Sequence, residues 1–437
     1  MNSSHPSSPS IPGSLGHRNA IREEHIAVVR PNSGPLFPEV GILAMVPYRW
    51  SHVWQPCNHI LTRLARYFHV VWVNPPQNWS DVFFQRDSLH VPPHDYGPGF
   101  RVYQSPAWLP NLYRPRRLAN LVFSQRMAHV QQRLIRSGCK RIVLYLWRPE
   151  FARALQSVSF DLSCYHIDDE YSFSPIDLPI PPVEARLIQD VDHVFIHSPA
   201  LLEKKGKINP HTTFTPNGVD FNSYAQVVPE PADIAGIPHP RIGYSGHIKK
   251  QLDWPLLMHL AARHPEWSFV FVGDANRHPE IVGYLDQLSR LANVHFLGGK
   301  SVQELASYPQ HFDVCLMPYS RDDYTRYIYP LKLHEYLASG RPVVGTPIAS
   351  LEPFRHIVHL PETPDEWSAA IAHSLDLDAN SDEQRAVRQS VAMKHDWDIL
   401  VRNIAEAMAL RLGPEFYSRM AQESSFEVKP SLGVCKT

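Results

Sequence analysis

The chain lacks the signatures of several common protein classes. Its 437 residues hold only five cysteines (Cys57, Cys139, Cys164, Cys315 and Cys435), odd in number and without a Cys-x-x-Cys pair. That fits reduced thiols in a cytosolic protein better than a disulfide framework or a zinc site. No stretch approaches ~18 consecutive apolar residues, so no transmembrane helix is expected. The opening MNSSHPSSPSIPGSLGHRN has no apolar core of signal-peptide type, and its Ser, Pro and Gly content predicts a disordered tail over residues 1–36. Net charge is also nearly absent, at −1, which removes any global attraction to nucleic acid. Carboxylates are missing locally: between Arg101 and Arg148 there is no Asp or Glu, while ten Lys and Arg residues occur.

What the chain does have is apolar residues, 43% of the total, at a length that calls for two domains. Short apolar runs alternate with helical patterns: VGILAMV, HVVWVN, RIVLYLW, LSCYHI and DHVFIH in the first half, RIGYSG, WSFVFVGDA, NVHFLG, DVCLMPY and RPVVGT in the second. Runs without polar alternation, separated by helices, predict parallel strands buried on both faces. The Pro-rich VVPEPADIAGIPHP interrupts the series and reads as a linker. The expected architecture is therefore α/β, with two doubly wound, Rossmann-like domains over residues 37–226 and 241–395, joined by a linker at 227–240. A helix over 396–415 packs back on the first domain, and a tail follows over 416–437. Such sheets bind ligands at the carboxyl ends of their strands, so the cleft between the domains is the expected site.

The stretch YIYPLKLHEYLASGRPVVGTP carries the chemistry. Pro330 suits a first helical turn and Gly340 a position just past the helix end, which predicts a helix over Leu331–Ser339. Its N-terminus offers free N–H groups to a phosphate, and Lys332 adds a full positive charge. Glu335, three residues on, can accept hydrogen bonds from vicinal hydroxyls of a ribose. An amphipathic helix with an ordinary Lys–Glu pair would read the same way.

PLKLHEYLASGRPVVGTP closely resembles the donor-binding segment of the group 1 glycosyltransferases of GT-B fold. TPNGVD (Thr215–Asp220) is similar to a second hallmark of that family and RIGYSGHIKK to a third; YHIDDEYSF has counterparts in members that act in cell-surface polysaccharide synthesis. The resemblance spans roughly Val40–Leu412. It implies a retaining transferase whose donor is a nucleotide diphosphate sugar, with Glu335 on the ribose and the N–H groups of Leu331 and Lys332 on the diphosphate. Lys249 or Lys250 assists, Gly246 lets the backbone approach the phosphates, and Asn217 and Gly218 mark the domain junction. It also implies that no cofactor or metal takes part. The sequence departs from the family at Tyr327, which stands where many members place a first glutamate on the transferred sugar. A phenol brings no charge at neutral pH, so Asp322, Asp323 or Arg326 is the expected substitute near the donor.

Asp168 and Asp169, at the end of a predicted strand with His166 and Glu170, are the candidates for orienting or activating an acceptor hydroxyl. An Asp pair capping the next segment is the other reading. His193 and His197 lie ~13 Å apart at strand rise and cannot share an ion. The basic Arg101–Arg148 region, interspersed with Trp108, Leu109, Leu112 and Tyr113, predicts contact with an anionic membrane surface. The function expected is sugar transfer to a hydroxyl of a glycan or lipid-linked glycan. A non-catalytic relative or a nucleotide-sugar epimerase of similar fold are the alternatives.

Overall fold

The computed structural model describes residues 34–427 apart from 52–53, 77–95, 107, 110, 112–113, 175 and 276–277; residues 1–33 of the expected tail and residues 428–437 lie outside the described residues. Seven strands, β1 (Phe37–Met45), β2 (Phe68–Val73), β3 (Phe100–Tyr103), β4 (Arg141–Leu146), β5 (Leu162–Ile167), β6 (His193–Ile196) and β7 (Thr212–Phe214), make a sheet in the order β3-β2-β1-β4-β5-β6-β7. Every pairing in it is parallel. The order reverses between β1 and β4, and a crevice opens beyond the strand ends at such a point.

Successive residues of these strands feed opposite cores. Ile42, Ala44, Val143, Tyr145 and Cys164 pack on one face; Leu43, Met45, Leu144, Leu146 and Tyr165 pack on the other. This explains why the runs show no polar alternation. The second core is covered by α2 (Arg116–Arg136), a 3-10 helix (Pro149–Gln156), α3 (Pro182–Asp190) and α4 (Pro199–Lys205). On the first core lies α1 (Pro56–Leu64), together with two helices from the far end of the chain.

A short α5 (Phe221–Ala225) precedes the linker, whose Ile234 and Ile237 are buried in the core of the second domain. That domain has β8 (Arg241–Ser245), β9 (Ser268–Val272), β10 (Val294–Phe296), β11 (Val314–Met317), β12 (Val343–Gly345) and β13 (Val358–His359) in the order β10-β9-β8-β11-β12-β13, all parallel. Its helices are α6 (Trp254–Arg263), α7 (Val282–Leu288), α8 (Val302–Leu305), α9 (Asp323–Tyr327), α10 (Lys332–Ala338), α11 (Pro364–Ser374) and α12 (Asp382–Met393). Several of their starts are capped: Asp253 accepts from Leu256 N ahead of α6, and Ser301 and Glu304 form a capping box at α8.

The chain then returns to the first domain through α13 (Trp397–Leu412) and α14 (Pro414–Glu427). Trp397, Val401, Ile404 and Met408 complete the core around α1. Arg63 anchors the return by ion pairs to Asp398 (2.8 Å) and Asp220 (3.3 Å). The expected tail from residue 416 needs correction: helix continues to Glu427, the Phe416 ring lies tilted against Phe37 with centroids 5.7 Å apart, and Met420 is buried. Apolar residues at 416 and 420 are one helical turn apart, and that spacing pins the segment to the first domain.

Candidate functional site

The glycine turns that end β8 and β9 form the floor of the cleft. Gly246 has φ +113° and Gly273 φ +150°. A Cβ on Gly273 would lie 2.1 Å from the Gly246 carbonyl oxygen, so one turn rests directly on the other. A Cβ on Gly246 would lie 2.6 Å from Lys332 Nζ, which places that ammonium against the bare backbone. Lys332 Nζ also sits 5.0 Å above the Tyr244 ring.

Lys249 is the second cation here. Burial and the charge of Lys332 lower its pKa, with Asp169 acting the other way. Lys250 turns outward and pairs with Glu280 at 3.7 Å, so the structure separates two neighbours that sequence left equivalent. Two ammonium groups close enough to repel make a seat for an anion.

Glu335 lies on α10 one turn from Lys332. Burial pushes its carboxyl pKa up, while Lys332 and a hydrogen bond from the Tyr224 phenol hold it down. Tyr224 comes from α5, directly after the TPNGVD stretch, and sequence reading missed it. Leu331 begins the helix and packs against the core of the first domain, so the end of α10 is seated by both halves. With seven residues α10 has a weak axial dipole, and the positive character of this corner comes chiefly from the two lysines.

The junction residues act as geometry. The Asn217 side-chain amide donates to the Tyr329 carbonyl at 2.7 Å, binding the domains just before α10. A Cβ on Gly218 would lie 2.6 Å from the His395 carbonyl oxygen and 2.8 Å from Leu400, so only glycine lets the chain pass under α13.

Tyr327 is not brought to the lysines. It is buried in the core of the first domain, with Lys204 Nζ 4.8 Å from its ring and Asp177 hydrogen-bonded to its hydroxyl. The expected substitutes are engaged as well. Asp322 accepts from Thr325 N (2.7 Å) as the cap of α9, Asp323 accepts from Asp177 N (2.9 Å), and Arg326 reaches Glu203 at 3.6 Å.

Across the cleft, the two aspartates after β5 differ. Asp168 accepts from the Tyr171 hydroxyl at 2.9 Å and lies in the field of Arg148, whose guanidinium stands 4.4 Å over the Tyr171 ring. Asp169 accepts from its own neighbour, Glu170 N (2.8 Å), and from the Tyr324 hydroxyl on α9 at 3.3 Å. Burial and then the charge of Asp168 push its carboxyl up to about 7. Glu170 and His166 are structural instead. Glu170 is buried with Lys204 (3.3 Å) and Lys205 (3.2 Å), and His166 stacks 4.2 Å from Trp147 and shares a 2.8 Å hydrogen bond with Tyr145.

Comparison with known proteins bears on this geometry. Residues 239–376, which hold both lysines, Gly246 and Glu335, match the family described as glycosyl transferases group 1. Over that stretch the chain is similar to the group 1 glycosyltransferases. TuaH of Bacillus subtilis (strain 168), assigned the role of glycosyltransferase in teichuronic acid biosynthesis, is 30% identical over 238 residues. That match covers 52% of this chain and 58% of the relative's length. HepE of Anabaena, solved with UDP and glucose, superposes with a TM-score of 0.58 at 17% identity, covering 85% of this chain and 98% of its own. Sucrose-phosphate synthase of Thermosynechococcus elongatus gives 0.59 at 14% identity, covering 89% and 99%. At these identities the likeness is one of fold: the two domains form the GT-B architecture.

Proposed function

We propose that the protein transfers a sugar from a nucleotide diphosphate sugar to a hydroxyl of a glycan or lipid-linked glycan, in surface polysaccharide synthesis. The observation that carries this reading is Lys332 set against the bare backbone of Gly246, with Lys249 within the field of Lys332 and Glu335 one helical turn away. The lysines meet the diphosphate, the backbone at Gly246 approaches it without a side chain between, and Glu335 takes the ribose hydroxyls. The leaving diphosphate is then stabilised by fixed positive charge, a role in which no metal is required. Retention of configuration is what the resemblance to the group 1 glycosyltransferases implies. UDP, the nucleotide bound by the HepE structure, is the first donor base to test.

The partner surface belongs to the same proposal. Trp108 is 69% exposed and Leu121 on α2 is 55% exposed, beside exposed Arg116 and Arg117. Two of the ten positives leave this face. Arg126 is buried, its pKa lowered to about 10 by burial and Arg153, and Arg148 lines the cleft. Arg141 is not unopposed either, since it pairs with Asp161 at 2.6 Å. What remains is an amphipathic cationic surface suited to anionic lipid, where a lipid-linked acceptor would lie. Among the described residues no helix is long and apolar enough to cross a membrane.

The deciding measurement is a thermal-shift screen of UDP, GDP, ADP, CMP and dTDP compounds against the wild type and Glu335→Ala. One nucleotide at ~100 Kd should add about 2.7 kcal/mol of stability, and the variant should lose most of that gain. No shift with any nucleotide at millimolar concentration would overturn the donor site and with it the proposed reaction.

A further inference from the structure

We infer that Asp169, a residue of the first domain, holds the hydroxyls of the sugar carried by the donor, so that donor specificity is shared by both domains. The inference rests on the donor reading above and goes beyond it to a residue on the opposite wall of the cleft.

A hexose linked to a diphosphate that Lys249 and Lys332 hold must lie beside those lysines. Its hydroxyls leave water on entering the cleft and need strong acceptors there, because a buried hydroxyl without a partner is unfavourable. The carboxylates near this point can be taken in turn. Asp322 is the cap of α9, and Asp323 accepts from the backbone of Asp177. Asp168 accepts the Tyr171 hydroxyl, and Glu170 is enclosed by Lys204 and Lys205. Glu335 is taken by Tyr224 and the ribose side of the site. Asp274, beyond the Gly273 turn, stands against Gly299 in the second domain. On the first-domain wall Asp169 is left, and its charge acts on Lys249.

Its hydrogen bonding supports the assignment. One oxygen is fixed by Glu170 N at 2.8 Å, which orients the group, whereas the other accepts the longer 3.3 Å bond from Tyr324 across the cleft. A sugar hydroxyl can replace or share that long bond. Tyr324 would then close over the sugar from the second domain, so the pair that spans the cleft would bracket the sugar.

The test compares UDP with a panel of UDP-hexoses by calorimetric titration of the full chain. It uses wild type, Asp169→Asn and Tyr324→Phe, with Asp168→Asn as the neighbouring control. In the wild type at least one UDP-hexose should bind about tenfold or more tighter than UDP, the scale of one hydrogen bond to a charged group. Asp169→Asn should remove most of that increment and leave UDP affinity unchanged or slightly improved, because a negative charge beside Lys249 has gone. Asp168→Asn should keep the increment. If Asp169→Asn keeps the increment but raises the KM for acceptor, the residue belongs to the acceptor and the inference is overturned. It is equally overturned if no UDP-hexose exceeds UDP in a wild type that binds UDP. If the wild type binds no nucleotide of any base, the donor reading fails first and this inference with it.

Discussion

Asp169 titrates far from the ordinary carboxylate range, and the sign of the consequence follows from its neighbours. Burial and Asp168 raise its folded-state pKa to about 7, against the opposing influence of Arg148 and Lys249; the Tyr324 hydroxyl bonds to it from α9. The folded protein therefore binds this proton more tightly than the unfolded chain. Its contribution to stability is complete below pH ~4 and is lost as pH rises to about 7. Asp169→Asn should match the wild-type Tm near pH 4 and exceed it at pH 8. Tm measured across that range checks it, and a variant equally destabilised at both pH values would refute the assignment. Lys332 and Glu335 were legible in the sequence because both lie on one helix, where spacing fixes their relation. The distinctions between Lys249 and Lys250, and between Asp168 and Asp169, depend on which way a turn faces in the assembled cleft. Tyr224 and Tyr324 were invisible for the same reason: each reaches its carboxylate from a separate element.

At the scale of elements, the turn between β8 and α6 is tightly constrained. Gly246 at φ +113° adopts a backbone region that side chains rarely enter, and Lys332 fills the space where a Cβ would go. Gly246→Ala should cost about 1–3 kcal/mol in stability. Displacing the lysine should also lower nucleotide affinity about tenfold or more. Denaturation and titration together test this, and an alanine tolerated by both would show that the phosphate does not approach here. The strands read clearly from sequence because burial on both faces leaves unbroken apolar runs. Less legible were β3, four residues long at the sheet edge, and the two-residue β13, since neither carries enough pattern to register. α11 and α12 also escaped the reading, although Thr363 and Glu366 form a capping box at the start of α11.

For the whole molecule, the two-domain division was readable from the repeated alternation and the Pro-rich break, but how the halves hold each other was not. Asn217 to Tyr329, Asp323 to Asp177 and Tyr327 under Lys204 are contacts between segments far apart in sequence. No local pattern announces them. The outer face of the first domain should bind vesicles containing anionic phospholipid at low salt. Arg116→Glu/Arg117→Glu with Leu121→Ser should abolish sedimentation with them while leaving nucleotide binding intact. Vesicle binding unchanged in that triple variant would exclude α2 as the contact.

The return of α13 and α14 to the first domain sets an order of events during synthesis. The first sheet is covalently complete at Phe214, yet one of its faces still lacks Trp397, Val401, Ile404, Met408 and Phe416. At roughly 5–20 residues per second, the ribosome makes nearly two hundred more residues before those side chains exist. During that interval the second domain, whose core draws on residues from Val219 to Ala392, can close on itself. The half of the molecule translated first is thus finished last, and its uncovered apolar face is the surface a chaperone would meet on the nascent chain.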